Sequence, residues 1–266
     1  ERSGDEPLAR SSRYLSFALA AACPPILISH LGRPERFLHM LRVVKFKSPM
    51  SMGVWGLVGF SGVAALTAGA QLSRDGKVPE WLHRLEPKPI AAMAQAFLGA
   101  FIAGYTGVLL AATAIPVWAK GKAHIPAMCV CSALAGACAA NSMLLAGKKD
   151  AANSLHKLER LEAVASIAEL AVIAHFALTS GSTGKPMFAG ERGKRFLVLT
   201  AGAGIAAPLV INALGKLAVK RDRTPAFLTL AASALTLLGG YVLRETLIEA
   251  GKASADDPRE AFVQPL

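Results

Sequence analysis

Seven long apolar blocks dominate the sequence: Tyr14–Leu31, Met50–Leu72, Ile90–Trp118, Ile125–Ala146, Leu161–Leu178, Phe196–Leu217 and Pro225–Ile248. Each is long enough to cross a hydrocarbon layer of about 30 Å as a helix that rises about 1.5 Å per residue. A backbone inside lipid has to satisfy its own hydrogen bonds, which leaves only helices and closed barrels. None of the blocks alternates polar and apolar residues as a barrel strand would, so a barrel is excluded. The expected fold is all-α, a polytopic transmembrane helical bundle of about seven spans. The third block is over-long and is expected to tilt or to project beyond the bilayer.

Composition narrows the function classes. Hydrophobic residues make up 53% of the 266-residue chain and charged residues 18%, and the mean hydropathy is +0.42. An ordinary soluble domain carries about 25% charge, and a disordered chain is far less apolar. The net charge of +11 is no sign of nucleic-acid binding. Its basic residues sit in short connections between apolar blocks, where they hold helix ends at lipid head groups, so the partner they indicate is the lipid bilayer. They are nearly balanced between the two sides, and the positive-inside rule does not orient the chain. Cys23, Cys129, Cys131 and Cys138 all lie inside apolar runs, without a CxxC pair or a Cys/His cluster. They read as small core residues, and any iron–sulfur cluster is expected in a partner.

The connections divide the chain. Residues 1–119 read as a first membrane bundle of three visible spans, 120–251 as a second bundle of four spans, and 252–266 as a polar tail. The most basic loop, Arg33–Lys47, carries Phe37, Leu38, Leu41 and Val44 at helical spacing, which predicts a short amphipathic helix in the interface. The chain begins at Glu1 with polar residues, so no signal peptide is visible, and an N-terminal piece is expected to be absent.

Ionisable groups inside a span are costly and mark function. Glu169 lies mid-span, and Glu162 and Ser166 share its helical face at i−7 and i−3. That face is a candidate proton route; a single membrane Glu also serves as a hydrogen-bond tie to a neighbouring helix. His30 ends the first block, His175 lies on another face of the Glu169 helix, and His124 is interfacial. A b-type haem needs two facing axial ligands, for which His30 and His175 are the thin candidates. Tyr105 stands near the centre of its block in Gly104-Tyr105-Thr106-Gly107, where glycines permit close approach of a helix or a ligand. Its phenol needs a partner, either a quinone carbonyl or a backbone carbonyl. Arg244 closes the last block and reads as snorkelling to the interface.

The segment His30-Leu31-Gly32-Arg33-Pro34-Glu35-Arg36-Phe37 closely resembles the "DLGRPERF" signature of the NrfD/PsrC family, the integral-membrane subunits of polysulfide-reductase-like complexes. The resemblance continues through Ser48-Pro49-Met50-Ser51-Met52-Gly53-Val54-Trp55 and returns in the run from Tyr105 to Trp118. It closes with Gly239-Gly240 and Arg244. It implies two packed four-helix bundles, here with the first helix missing, and no haem or metal in the chain. It implies a quinone or quinol (menaquinone or ubiquinone) bound near the membrane surface. The implied partners are a ferredoxin-like iron–sulfur subunit, and often a molybdopterin-containing or cytochrome subunit beyond it. The implied location is a bacterial-type cytoplasmic (inner) membrane. The tyrosine of the family's "YTG" motif belongs to the quinone pocket and falls on Tyr105. His30 stands where the family has Asp, so it becomes a second candidate for quinone contact or proton transfer, beside Glu162 and Glu169. Arg33, Glu35 and Arg36 are expected to form an ion-paired turn that fixes the interface loop.

The expected function is therefore the quinone-binding membrane subunit of a multi-subunit respiratory oxidoreductase, not an enzyme on its own. The alternatives are a secondary transporter or channel, which would need matched broken helices in two halves, and a structural or haem-b membrane anchor.

Overall fold

The computed structural model describes residues 5–42, 44–79, 81, 88–218 and 225–256, and every regular element among them is helical. Among the described residues, six helices are long and apolar enough to cross a membrane: Pro49–Arg74, Ile90–Ala111, His124–Leu145, Ala152–Thr179, Gly190–Gly215 and Ala226–Ala255. They correspond to the last six apolar blocks. The first block lies in α1 (Glu6–Ser29), which carries Arg10 and Arg13 in its first half and Pro24 and Pro25 inside it. The polar tail beyond 256 and residues 80 and 82–87 of the connection between the second and third apolar blocks lie outside the described residues.

The chain forms two compact units, Glu1–Tyr105 and Thr106–Leu266. In the first unit, α1 packs on α3 (Pro49–Arg74). One end of this pair is tied by polar groups. Arg10 bridges to Asp75 at 2.9 Å, the Tyr14 hydroxyl donates to Asp75, Arg13 donates to Gln71 at 2.6 Å, and Gln71 donates to Asp75 at 3.1 Å. The interfacial segment is shorter than the pattern of Arg33–Lys47 predicts. A 3-10 turn, Pro34–Arg36, leads into α2 (Phe37–Leu41), and Val44 is not helical. Pro49 explains the rest of the loop. The residue before a proline is driven out of the helical region. Ser48 accordingly has φ −99° and ψ 114°, and its hydroxyl caps α3 by accepting from the Ser51 N–H.

The fourth helix, α4 (Lys88–Ala111), meets α3 through aromatic rings seated on glycines. A Cβ on Gly56 would lie 2.5 Å from the Phe101 ring, and the Tyr105 ring covers Gly53 in the same way. The positions 101 and 105 are one turn apart on α4, as 53 and 56 are on α3, so two ridges fit two hollows.

In the second unit, α5 (Pro116–Lys120) docks the first Pro-Val-Trp residues on the last helix, α11 (Ala226–Ala255). The Trp118 indole N–H donates to the Leu247 carbonyl at 2.8 Å, and its ring occupies the space left by Gly251. The spans α6 (His124–Leu145) and α7 (Ala152–Thr179) pack along each other, and α6 packs on α11, which α7 reaches through the Thr236–Glu162 hydrogen bond. The short helices α8 (Lys185–Phe188) and α9 (Gly190–Phe196) lead into a π-helix, Leu197–Ala206, and then α10 (Ala207–Ala218). Pro208 has no N–H to donate and its ring crowds the carbonyl four residues back, so the widened turns before it relieve a clash that a regular helix would carry. Gly204 and Gly239 let the π-helix and α11 touch backbone to backbone. Arg195–Glu245 at 3.0 Å and Arg192–Glu249 at 3.5 Å pin α9 along α11. The core of this unit is built from Trp118, Ile125, Met128, Phe176, Phe196 and Leu243 with their neighbours.

Candidate functional site

Tyr105 is half-buried, and the hydroxyl end of its ring lies against Gly53, which is the fifth residue of α3. Four residues of helix are about 6 Å, so the phenol sits one turn inside the end of α3. Its oxygen has no hydrogen-bond partner among the described residues. Phe101 flanks it, with ring centroids 6.2 Å apart. A phenol held rigidly by a glycine hollow and an aromatic neighbour, with its O–H unspent, is a donor poised for a carbonyl.

His30 caps the C-terminus of α1 and is exposed. Its Nδ1 lies 2.8 Å from the Ile26 carbonyl and 3.2 Å from the Ser29 hydroxyl. A carbonyl only accepts, so Nδ1 carries the proton and Nε2 is left as the acceptor. Arg33, Glu35 and Arg36 are all exposed, and none of them makes an ion pair among the described residues. The turn they occupy is held by its backbone, with the Arg36 N–H donating to the Arg33 carbonyl at 3.1 Å.

The second unit holds the carboxylates. Glu162 and Glu169 are each 3% exposed, and Ser166 between them is equally buried. The Thr236 hydroxyl of α11 donates to Glu162 at 2.7 Å. Glu169 accepts a hydrogen bond from Ser132 of α6, and the Arg244 guanidinium of α11 lies in its electrostatic reach. Arg244 also donates to the Gly240 carbonyl at 2.8 Å. Gly240 makes room for this group: a Cβ there would stand 3.1 Å from the Ser132 hydroxyl and 3.3 Å from Arg244. The buried polar face of α7 extends through Glu159 to Ser154, about 22 Å along the helix from Glu169. Beyond Glu169, toward Thr179, the buried residues turn apolar at Ile173 and Phe176. A polar seam thus runs through one end of the unit and stops at Glu169.

His175 meets His124, not a haem-ligating partner: its Nδ1 lies 2.8 Å from His124 Nε2. No group of three or more His, Cys, Asp or Glu residues is arranged to hold a metal ion among the described residues. Cys129 and Cys138 are buried, Cys131 is half-buried and Cys23 is exposed, all as free thiols.

Long apolar helices with a buried carboxylate seam define a multi-pass helical membrane protein. A family model agrees over nearly the whole chain: residues 1–255 match the family described as Polysulphide reductase, NrfD. The chain belongs to that family. No curated protein matches the sequence.

Proposed function

We propose that this chain is the quinone-interacting membrane subunit of a multi-subunit oxidoreductase in a cytoplasmic-type membrane. It exchanges electrons with an iron–sulfur partner of ferredoxin type, behind which a molybdopterin or cytochrome subunit acts on the substrate. The observation that carries this reading is Tyr105. Its phenol lies one turn from the helix end, rests on Gly53 and spends its O–H on no partner among the described residues. These residues fit a quinone headgroup, which needs an apolar slot and a hydrogen-bond donor to a carbonyl. A bound quinone or quinol, menaquinone or ubiquinone, would supply the two-electron, two-proton chemistry. Tyr105 would orient it by donating to one carbonyl. His30, with Nε2 free to accept, is the surface-facing candidate for exchanging a proton in the same unit.

In the second unit, Glu169 and Glu162 are the groups that can hold and pass protons. Ser132 keeps Glu169 oriented and Arg244 supplies a counter-charge, while Thr236 does the orienting for Glu162. The seam from Ser154 to Glu169 is polar at one end and sealed by apolar side chains at the other, as a route serving one side of the membrane should be. The test is Tyr105→Phe in the assembled complex. Quinone-linked turnover should fall by about five- to 150-fold, one donor to a carbonyl being worth about 1–3 kcal/mol, with assembly intact. Unchanged quinone kinetics would return Tyr105 to packing.

A further inference from the structure

Two imidazoles meet where α6 begins and α7 closes. His124 Nε2 and His175 Nδ1 are 2.8 Å apart, with the rings stacked at 25° and their centroids 5.0 Å apart. His124 is held in place: its ring packs on Phe176 at a centroid distance of 5.3 Å, and its Nδ1 is buried without a partner among the described residues. His175 is exposed. At this separation one nitrogen donates and the other accepts, so the pair shares a single proton. Two imidazole lone pairs brought together at an exposed edge also suit a zinc- or copper-class ion better than a hard cation.

We propose that His124 and His175 form a two-histidine site for a divalent transition ion of the zinc–copper class, with water completing its coordination. Two nitrogens bound tetrahedrally at about 2.0–2.1 Å stand about 3.3 Å apart. The pair therefore opens by about half an ångström, and the exposed His175 ring turns to bring both lone pairs onto the ion. The ion takes the place of the shared proton, which moves to the other nitrogen of its own ring, so both imidazoles bind as neutral ligands. No carboxylate or thiol adds a third protein ligand among the described residues, and Lys120 and Lys122 precede His124 in the chain. Both features make the site exchangeable rather than a permanent structural centre. A bound ion would tie the start of α6 to the end of α7. The site is separate from Glu169, which lies six residues earlier on α7.

The experiment uses the whole purified complex in detergent, treated with a chelator and then titrated with Cu²⁺ as the EPR probe and with Zn²⁺ in thermal unfolding. The expected result is a Cu²⁺ spectrum with two equatorial nitrogens and an upward shift of the unfolding midpoint with Zn²⁺. His175→Gln should weaken Cu²⁺ binding by at least about tenfold, reduce the two-nitrogen pattern and abolish the zinc-dependent shift. His124→Gln should do the same, and if that variant fails to assemble, the exposed His175→Gln carries the test alone. Other histidines, such as His30 and His156, remain in both proteins, so the difference between them is the readout. Identical titrations and spectra for the unsubstituted protein and His175→Gln would overturn the proposal.

Discussion

Adding one methyl group at Gly53 tests the geometry of the Tyr105 site without touching its chemistry. A Cβ at position 53 would meet three atoms of the Tyr105 ring, and even the farthest of them is only 2.5 Å away. Carbon atoms pack comfortably at about 3.5 Å, so in Gly53→Ala the ring has to withdraw by at least about 1 Å. Overpacking of this kind costs about 1–3 kcal/mol, which a helix embedded among spans tolerates. The larger effect is on alignment, because a misplacement of about 1 Å can slow a reaction by about a hundredfold. The expected outcome is an assembled complex whose quinone-linked turnover falls ten- to a hundredfold, while electron transfer from an artificial donor to the iron–sulfur partner is preserved. If both substitutions act through one phenol, Gly53→Ala and Tyr105→Phe will be non-additive, and the double variant will be no slower than the worse single one. Full quinone activity in Gly53→Ala, or strict additivity, would refute the idea that Gly53 exists to seat a working Tyr105.

Three further substitutions probe the rest of the structure. Glu169→Gln should slow proton-coupled turnover with little loss of assembly, and normal rates with normal proton uptake would leave Glu169 as a tie between helices. Gly251→Ala would place a Cβ 2.6 Å from the Trp118 indole nitrogen; it should cost about 1–3 kcal/mol, read as a lower thermal midpoint in detergent. Asp75 should make the α1–α3 pair acid-sensitive. The Tyr14 hydroxyl, with help from Gln71 and Arg10, holds its carboxyl below the usual carboxylate range. A lowered folded value means that the contribution is complete above the ordinary carboxylate pKa of about 4 and is lost as pH falls through the folded value. Asp75→Asn should therefore lower stability at neutral pH and flatten its decline on the acid side; an unchanged acid limb would contradict this.

Much of the architecture was legible because membrane spans are written in blocks. The last six apolar runs each contain a helix that qualifies as a span. The first run is less clear because Arg10 and Arg13 occupy the same helix as the apolar stretch and tie it to α3 through Asp75 and Gln71. The carboxylate face was legible for the same periodic reason: residues 162, 166 and 169 share one side of a helix, and all three are buried. Their partners were not. Thr236 lies 74 positions from Glu162, and no local pattern relates the two. Nothing local in the sequence relates His175 to His124, 51 positions away; they meet because α6 and α7 run antiparallel. The Arg33–Glu35–Arg36 turn shows the opposite failure: alternating charges suggested pairing, whereas a backbone hydrogen bond shapes the turn and the side chains face outward. Exposed ion pairs stabilise little, so nothing compels these charges to meet. Tyr105 was found through its motif, and the covering of Gly53 could be seen only once α3 and α4 were in place.

The most direct test of the central claim is to purify the complex from its native membranes in mild detergent and add quinol anaerobically while recording EPR spectra. The account predicts an iron–sulfur partner that co-purifies with this chain, whose clusters equilibrate with added quinol in the unsubstituted protein and at least about fivefold more slowly in Tyr105→Phe. A chain that purifies alone, without a cluster-bearing partner and without binding quinol, would contradict it.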